Sequence, residues 1–395
     1  MDKGNNVGNH PSQCYGCSAC ECICPKQAIT LTTDKNGFLY PQIDADKCIN
    51  CGLCLQVCPI EKENSFKSSG ADRCYAVKNS DSVRIDSSSG GIYTALTDQI
   101  LKVGGVCIGT AYSDNHKVIY TIAEDTVGRN AQRGSKYVQS YMSPLLLKRV
   151  IEIIEAGRSV LISGTPCQVA GIKSLLSFKK IVTDKVLFID IVCHGTPSPE
   201  LWMQYLSEIE RTHNSKIAKY TFRDKEKGWR GYHVRIELEN GTILEGSTET
   251  DSFVNMFKEN LTLRDSCFKC PYASMSRCGD ITIGDFWGIE DIDAAFSDNK
   301  GISMVLANTD KGKGFLSAVV PQTDFQEYSS RVITQSNMHN PSQHGLWHRN
   351  FWKVFRNKGY KGVIRRFASG GSLYALYYYR KAIKLRAEAL KKELS

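Results

Sequence analysis

The sequence predicts a mixed α/β (α+β) protein in three parts: a small cysteine-rich head, a body built on a mixed sheet, and a basic helical tail. Three observations carry this prediction: a duplicated cysteine pattern near the N-terminus, successive strand–turn–helix units in the middle, and a strongly basic C-terminal stretch. With 395 residues, the chain exceeds what one hydrophobic core usually serves. We therefore expect a head over residues 1–64, a body over residues 72–345 and a tail over residues 346–395.

The overall composition indicates a protein of the cytoplasm. Its longest apolar stretches, such as residues 186–192, are far shorter than the ~20 residues that a membrane-spanning helix needs. The first residues contain no apolar segment after the lysine, so we expect no secretory signal. In a reducing compartment, 16 cysteines favour metal ligation or redox chemistry over disulfides.

The head contains the motif C-x2-C-x2-C-x3-C-P twice, with an offset of 34 residues. This spacing is typical of bacterial ferredoxins with two 4Fe-4S clusters, in which the fourth cysteine of each motif ligates the other cluster. Two zinc knuckles are the alternative, but zinc gives no reason for the third cysteine, the fourth or the proline. Cys22 lies outside the pattern and is interpreted as a small filler rather than a ligand. The predicted ligands are Cys14, Cys17, Cys20 and Cys58 for cluster one, and Cys48, Cys51, Cys54 and Cys24 for cluster two.

After a polar linker at residues 61–73, the body begins with a short strand, CYAVKN, and a helix at residues 92–103. The preceding SSSGG therefore lies at a helix N-terminus, where free backbone N–H groups suit a phosphate. A plain N-cap loop is the alternative. A buried strand at residues 104–112 and a helix from about Pro144 to Ala156 follow.

Two strand–turn–helix units, at residues 158–176 and 185–206, predict a parallel or mixed sheet with covering helices. Cys167 and Cys193 follow the strands of these units, so both are expected at one crevice at the carboxyl edge of the sheet. The dipeptide Asn240-Gly241 then predicts a hairpin. A further C-x2-C pair, Cys267 and Cys270, is by spacing alone compatible with zinc, a redox dithiol or a cluster.

The stretches SSSGG, GSKY, GTPCQ, VCHGTPSP and CFKCPYASMSRCGDITIGDFWG together resemble the family of coenzyme F-420 hydrogenase/dehydrogenase beta subunits, in its bacterial form with a fused dicluster ferredoxin head. The resemblance runs from about Cys14 to Ile289. It implies a flavin-binding body that holds FAD over the sheet and a third 4Fe-4S cluster beside it. The resemblance assigns the third cluster to Cys167, Cys193, Cys267 and Cys270, with Cys278 as an alternate ligand. It assigns the FAD phosphates to Ser88, Ser89, Gly90, Gly91, Gly134, Ser135 and Lys136. It assigns the flavin ring system to Thr165 and Pro166.

Four body residues have a functional interpretation beside an ordinary one. His194 could donate a proton to substrate, or could be a structural histidine bonded to backbone. Lys136 could pair with a phosphate or a flavin oxygen, or lie solvated at the surface. Asp285 and Trp287 could shape the cofactor pocket, or form a turn and a core aromatic.

The predicted function is that of a ferredoxin-linked, FAD-dependent oxidoreductase. Clusters move single electrons and hydride chemistry moves two, and flavin accommodates both. We expect electrons from a protein such as reduced ferredoxin to reach FAD and an unidentified small-molecule substrate, although the family leaves direction and substrate open. One alternative is an electron-transfer subunit that feeds a separate catalytic partner, with polysaccharide or lipid-linked glycan metabolism as one setting. Another is a non-catalytic metal-binding scaffold.

The tail, from Gly345 onward, contains 13 Lys and Arg against two Glu, interleaved with aromatic residues. Packing of these aromatics against the body is the first interpretation. Peripheral contact with an anionic membrane surface at the inner face is the second, through an amphipathic helix from Leu373 onward. No nucleic-acid fold is recognisable, so no nucleic acid is expected as a partner.

Overall fold

The structure of this protein is a computed structural model that describes residues 6–9, 12–62 and 65–374. Within these ranges, none of the helices combines the length and the apolar character that a membrane crossing requires. The strands are β1 (Ile29–Thr33), β2 (Leu39–Ile43), β3 (Arg73–Lys78), β4 (Val106–Tyr112), β5 (Val118–Ala123), β6 (Val160–Gly164), β7 (Val186–Ile191), β8 (Ile217–Asp224), β9 (His233–Leu238), β10 (Ile243–Gly246), β11 (Ile281–Asp285), β12 (Ser303–Ala307) and β13 (Asp324–Ser329).

The helices alternate with these strands through most of the body. They are α1 (Ala19–Ile23), α2 (Leu53–Gln56), α3 (Asp81–Ile85), α4 (Ile92–Lys102), α5 (Thr126–Gln132), α6 (Pro144–Glu155), α7 (Pro166–Phe178), α8 (Pro199–His213), α9 (Ser252–Lys258), α10 (Ile289–Ile292), α11 (Asp310–Val319) and α12 (His348–Phe367).

The body is organised by an eight-stranded sheet with the order β13-β3-β12-β11-β7-β6-β4-β5. Its centre, β11-β7-β6-β4, is parallel, whereas β5 on one side and β12, β3 and β13 on the other are antiparallel. The predicted mixed α/β architecture is therefore confirmed. Because the parallel strands end at the same edge, the loops after β6 and β7 lie next to each other there.

Three body helices begin in the same way, with a hydroxyl residue at the N-cap and proline at the first helical position. Ser143 and Ser198 accept hydrogen bonds from the backbone N–H groups of Leu146 and Leu201, at 3.2 and 3.3 Å. Thr165 precedes α7 in the same position. Proline needs no hydrogen bond at that point and fixes a helical φ, so these dipeptides define where each helix starts.

The loop between β7 and α8 is longer than the tight turn that the sequence predicted. Residues 192–198 separate strand and helix, because Pro197 and the Ser198 N-cap delay the helix until Pro199. This loop contains Cys193 and His194.

A second, three-stranded sheet has the order β10-β9-β8 and includes the predicted hairpin at Asn240-Gly241. It shares one hydrophobic cluster with α8, α9 and α12, to which α12 contributes Phe351, Trp352 and Phe355. Aromatic residues of the basic stretch therefore pack against the body as far as α12. Residues 375–395, and with them most of the predicted amphipathic helix, lie outside the described residues.

The head contains a two-stranded antiparallel sheet, β1-β2, and the short helices α1 and α2. The two copies of the 34-residue repeat also share backbone conformation. Gly16 and its equivalent Asn50 both have positive φ, and so do Ser18 and its equivalent Gly52. One face of the head is seated on α6 and α7. The hydrophobic cluster at this junction includes Ala19 and Val57 of the head.

A candidate chain of cofactor cavities

Each head motif contributes three cysteines to one cavity and its fourth cysteine to the other. We call the two spaces the first and the second head cavity. This arrangement brings together both predicted sets of four. Cys14, Cys17, Cys20 and Cys58 line the first head cavity, and Cys24, Cys48, Cys51 and Cys54 line the second.

The four cysteines of the first head cavity are half-buried. Burial raises the pKa of Cys17 and of Cys20 well above its ordinary value, and neighbouring cysteine charges add to both shifts. Burial also raises the pKa of Cys58 to about 11. Bound iron would compensate this cost, because a thiolate ligand loses its proton to the metal. Cys22 lines neither cavity; it packs at the head–body junction, as expected of a filler.

Four body cysteines from three separate segments line a third space, the body cysteine cavity. They are Cys167, Cys193, Cys267 and Cys270, the set that the resemblance assigned to a third cluster.

Local structure explains how distant segments deliver these thiols. Cys167 is the second residue of α7, and Cys193 lies in the long loop after β7. Cys267 and Cys270 lie in and just after a short 3-10 turn, Asp265–Lys269. Burial raises the pKa of Cys167 to about 11 and of Cys267 to about 12, while the positive charge of Arg264 opposes both shifts.

Among the described residues, no three His, Cys, Asp or Glu side chains form a site for a single metal ion. The cysteines instead surround cavities. In the body cysteine cavity, the thiolate charges of Cys267, Cys167 and Cys270 are close enough to raise the pKa of Cys193. Four thiols around a common space are the donor set of an iron–sulfur cluster.

Cys278, the alternate ligand, does not line the body cysteine cavity. It is buried, and its Sγ lies 3.0 Å from the Pro166 carbonyl oxygen and 3.4 Å from Asp190 Oδ2. Asp190 also accepts hydrogen bonds from Arg277 Nη2 at 3.0 Å and Thr282 Oγ1 at 2.6 Å. This buried network fixes the segment after Cys270 to the end of β7.

Arg264 links the head to the body cysteine cavity. Its side chain is buried, with the residue 1% exposed, and it is among the residues that line that cavity. Nε donates to the Cys14 carbonyl at 2.7 Å, and Nη1 donates to Gln139 Oε1 at 3.3 Å. The guanidinium lies 3.7 Å from the centroid of the Tyr40 ring. Its Nη2 is buried without a hydrogen-bond partner among the described residues.

A larger cavity of about 250 Å³, open to solvent, lies at the carboxyl edge of the parallel strands; we call it the sheet-edge cavity. Two predicted flavin contacts lie elsewhere: Gly90 is buried against Val77 and Ser303 without lining the cavity, and Pro166 lines the body cysteine cavity. Seven predicted flavin contacts do line the sheet-edge cavity: Ser88, Ser89, Gly91, Gly134, Ser135, Lys136 and Thr165.

The two predicted phosphate loops are bonded to each other at this cavity. Ser88 Oγ accepts hydrogen bonds from Ser135 N at 2.7 Å and Ser135 Oγ at 2.9 Å. Lys136 Nζ turns back onto three carbonyl oxygens at the end of α5. Burial lowers the pKa of Lys136 to about 7, although these three carbonyls favour the charged form.

Arg133 is a cavity residue that the sequence did not single out. Its Nη2 pairs with Asp86 at 3.0 Å, whereas its Nε is buried without a hydrogen-bond partner among the described residues. Gly134, the next residue, has φ +80°, with open space where a Cβ would stand. A free donor beside an open glycine loop fits an anionic group such as a phosphate.

Asp285 lines the sheet-edge cavity, and Trp287 lies behind it. Asp285 forms an ion pair with the buried Arg223 at 2.8 Å and accepts a hydrogen bond from Trp229 Nε1 at 2.9 Å. Trp287 stacks on Trp229 with ring centroids 4.4 Å apart. Asp285 is therefore a structural part of the cavity wall, and Trp287 is an aromatic residue packed against Trp229.

His194 lines the body cysteine cavity rather than the sheet-edge cavity. Its Nδ1 lies 3.3 Å from Asn337 Oδ1, and its ring packs edge-on against Phe257. Burial lowers the pKa of His194, which favours the neutral imidazole. This position favours the structural interpretation of the residue.

Shared walls join the first head cavity, the body cysteine cavity and the sheet-edge cavity into a series. Tyr15 lines both the first head cavity and the body cysteine cavity. The body cysteine cavity and the sheet-edge cavity share Val138, Ser140, Thr165 and Gln168. Gln168 braces this wall, because its Oε1 accepts from Tyr120 at 3.0 Å and its Nε2 donates to Ser140 Oγ at 2.6 Å.

Comparison with known families confirms the predicted resemblance. Residues 13–62 match the 4Fe-4S dicluster domain. Residues 157–329 match the domain described as the C terminus of the beta subunit of coenzyme F420 hydrogenase/dehydrogenase.

Individual proteins show the same two likenesses. The F subunit of the F(420)H(2) dehydrogenase of Methanosarcina mazei is 25% identical over 233 residues, covering 55% of this chain and 63% of that protein. An uncharacterized ferredoxin of Methanocaldococcus jannaschii is 40% identical over 47 residues, covering 12% of this chain and 60% of the ferredoxin. The chain thus spans less than two thirds of the length of either relative.

Among solved structures, a chain of the F420-reducing [NiFe] hydrogenase complex from Methanosarcina barkeri superposes with a TM-score of 0.45. Its sequence identity is 17%, and the superposition covers 76% of this chain and 91% of that one.

Proposed function

We propose that this chain, which joins a 4Fe-4S dicluster domain to the C-terminal domain of coenzyme F420 hydrogenase/dehydrogenase beta subunits, is an iron–sulfur flavoprotein oxidoreductase. It would hold two clusters in the head, a third in the body cysteine cavity and FAD in the sheet-edge cavity. Electrons would pass between a ferredoxin-type donor and a small-molecule substrate. A reducing, cytoplasmic location suits this chemistry.

One observation carries the proposal: the body cysteine cavity borders both the head and the sheet-edge cavity. Tyr15 belongs to its wall on the head side, and Thr165 and Gln168 belong to its wall on the sheet side. A redox group in the middle cavity would lie between the other two. An isolated metal-binding scaffold gives no reason for such a series.

The residues present fit the groups that this proposal requires. Each of three cavities presents four thiols from loops and helix starts, the donor set of a 4Fe-4S cluster. The sheet-edge cavity offers the Arg133 Nε donor and the open turn at Gly134 toward a phosphate. Bound clusters would supply electrons singly, and bound FAD would exchange either one or two.

The chain's own side chains would orient and shield these groups. Lys136 is held against the end of α5 by three carbonyls, and a bound phosphate nearby would favour the charged form of its amine. Thr165 Oγ1, 3.3 Å from Cys167 Sγ, lies at the wall between the third cluster and the flavin. His194 would have a structural role at the cluster side of this wall, where Asn337 and Phe257 hold its ring.

A second candidate function is that of an electron-transfer subunit that feeds a separate catalytic partner. Two observations favour it: Cys51 of the second head cavity is exposed, and the Methanosarcina mazei relative is named as one subunit of a dehydrogenase. In that case the second head cavity would face the partner or donor protein.

Anaerobic purification followed by iron, sulfide and flavin analysis tests the proposal. We expect about twelve irons per chain, four for each of three clusters, and stoichiometric FAD whose absorbance bleaches when reduced ferredoxin is added. Cys267→Ser should remove about four irons. Cys107→Ser is the matched control, because Cys107 is buried in β4 and lines none of the four cavities.

Protein without flavin, or a Cys267→Ser variant with unchanged iron, would contradict the proposal. Flavin reduction that leads to turnover only when another polypeptide is added would favour the electron-transfer role over the stand-alone enzyme.

A further inference from the structure

Buried cations near the predicted cluster sites differ in how completely they are neutralised. Arg277 pairs with the carboxylate of Asp190, at 1% and 0% side-chain exposure. Arg264 is equally buried, but its hydrogen-bond partners, the Cys14 carbonyl and Gln139, are neutral. Its positive charge is therefore not cancelled by a bonded carboxylate, and its field reaches the cavity that it lines.

The free nitrogen of Arg264 is costly unless something binds there. A buried donor without a partner costs roughly 1–3 kcal/mol, and more if it is charged. Nε and Nη1 are engaged, which leaves Nη2 without a partner among the described residues. The side chain cannot rotate freely to solvent, because Tyr40 covers its face at 3.7 Å.

We propose that Arg264 donates its free Nη2 to the cluster held by Cys167, Cys193, Cys267 and Cys270 and thereby sets that cluster's reduction potential above the value that the four thiolates alone would give. This inference rests on the proposed third cluster. Arg264 is a positioning and tuning residue, since the cysteines bind the iron.

The expected direction follows from charge balance. Reduction transfers one electron from a head cluster to the third cluster, which gains one negative charge while the donor loses one; no proton or covalent bond changes. A fixed cation stabilises the more negative state, so it raises the potential of the cluster beside it. Hydrogen bonds to cluster sulfur act in the same direction.

Arg264 also connects this tuning to the head. The same guanidinium that lines the body cysteine cavity holds the carbonyl of Cys14, a predicted ligand of cluster one. Its bond to Gln139 continues to the head, because Gln139 Oε1 accepts from Leu39 N at 3.0 Å. The packing of the head against the body therefore fixes the position of the Arg264 guanidinium.

The test is an EPR-monitored redox titration of anaerobically purified full-length protein. In Arg264→Gln the midpoint potential of the third cluster should fall, with iron content unchanged. Arg264→Lys, which keeps the charge but lacks the planar fork, should restore most of the potential. Arg129→Gln is the control: Arg129 is also buried, but it pairs with Asp98 away from the cysteine cavities, so this variant should leave the potential unchanged.

A measurement on the unmodified chain covers the case in which Arg264→Gln fails to fold. Protein labelled with 15N-arginine should show a nitrogen hyperfine coupling to the reduced third cluster, because Nη2 is bonded to it. Wild-type protein with about eight irons would overturn the proposed function and this inference together. About twelve irons with an unshifted potential in Arg264→Gln, or without that coupling, would overturn this inference alone.

Discussion

The two cysteine loops of the head have the same spacing and nearly the same backbone, yet opposite surroundings. Cys17 of the first loop packs against α7, where a Cβ on Gly171 would approach its Sγ to 2.6 Å. In the second loop Cys51 is exposed, and Ile49 beside it is 58% exposed. A motif thus specifies ligand chemistry, whereas the surface on which it is seated decides which cluster faces the interior and which faces a partner.

The largest expected contrast comes from removing one ligand in each loop. Cys17→Ser and Cys51→Ser should each lose about four irons, because each removes a corner of one cluster. Only Cys17→Ser should also lower the thermal midpoint of the iron-free chain, since it places a hydroxyl against the apolar cluster between head and body, where Cys17 is half-buried. Iron analysis and calorimetry measure both effects. Equal midpoints in the two iron-free variants would show that the first loop is not seated on the body.

The stability of the iron-free protein should depend on pH, whereas that of the iron-loaded protein should not. In iron-free protein, burial raises the pKa of Cys17 and Cys20 above its ordinary value of 9.0, so the folded chain holds these protons more tightly than the unfolded chain. Stability should therefore be retained below about pH 9 and fall as the pH rises beyond it. Iron-loaded protein is the control, because its ligating thiols have already lost their protons. A midpoint that stays level above pH 9 without iron would contradict this burial.

A smaller effect is expected from one methyl group at the contact between Cys17 and α7. Gly171→Ala should destabilise the protein by about 1–3 kcal/mol, because the new Cβ overlaps Cys17 Sγ. Gly314→Ala is the matched control, since Gly314 also lies within a helix but has nothing within 4 Å of an added Cβ. That variant should gain up to about 1 kcal/mol. Denaturant unfolding of both variants measures the difference, and equal stabilities would show that the head can shift to relieve the overlap.

Much of the fold was predictable because its signals are local. The strand–turn–helix units around β6 and β7, the hydroxyl–proline helix starts and the Asn240-Gly241 hairpin each depend on a few consecutive residues. The 34-residue repeat likewise predicts which fourth cysteine joins which cavity, and both sets of four are brought together.

The residues that the sequence did not indicate act over long separations. Arg264 joins Cys14 across 250 positions, and Arg277 meets Asp190 across 87. An arginine in a sequence shows neither its burial nor its partner, since both depend on tertiary packing. Arg133 had a weak local signal, as the neighbour of the GSKY stretch. Pro166 lies on the far side of the wall from its predicted place, because α7 turns its first residues toward the cysteines.

The close approach of head and body also limits how this protein could be recombined. Gly16 lies against Gln139, and Gly37 lies against Ser198 and Glu200, with no room at either point for a side chain on the glycine. A different ferredoxin domain fused at the linker could still bind its own clusters. A side chain in place of either glycine, however, would clash with the body. Replacement of the head domain should therefore succeed only if the residues at the head–body contact are kept as well. Chimaeras that preserve only the cysteine motifs should assemble poorly.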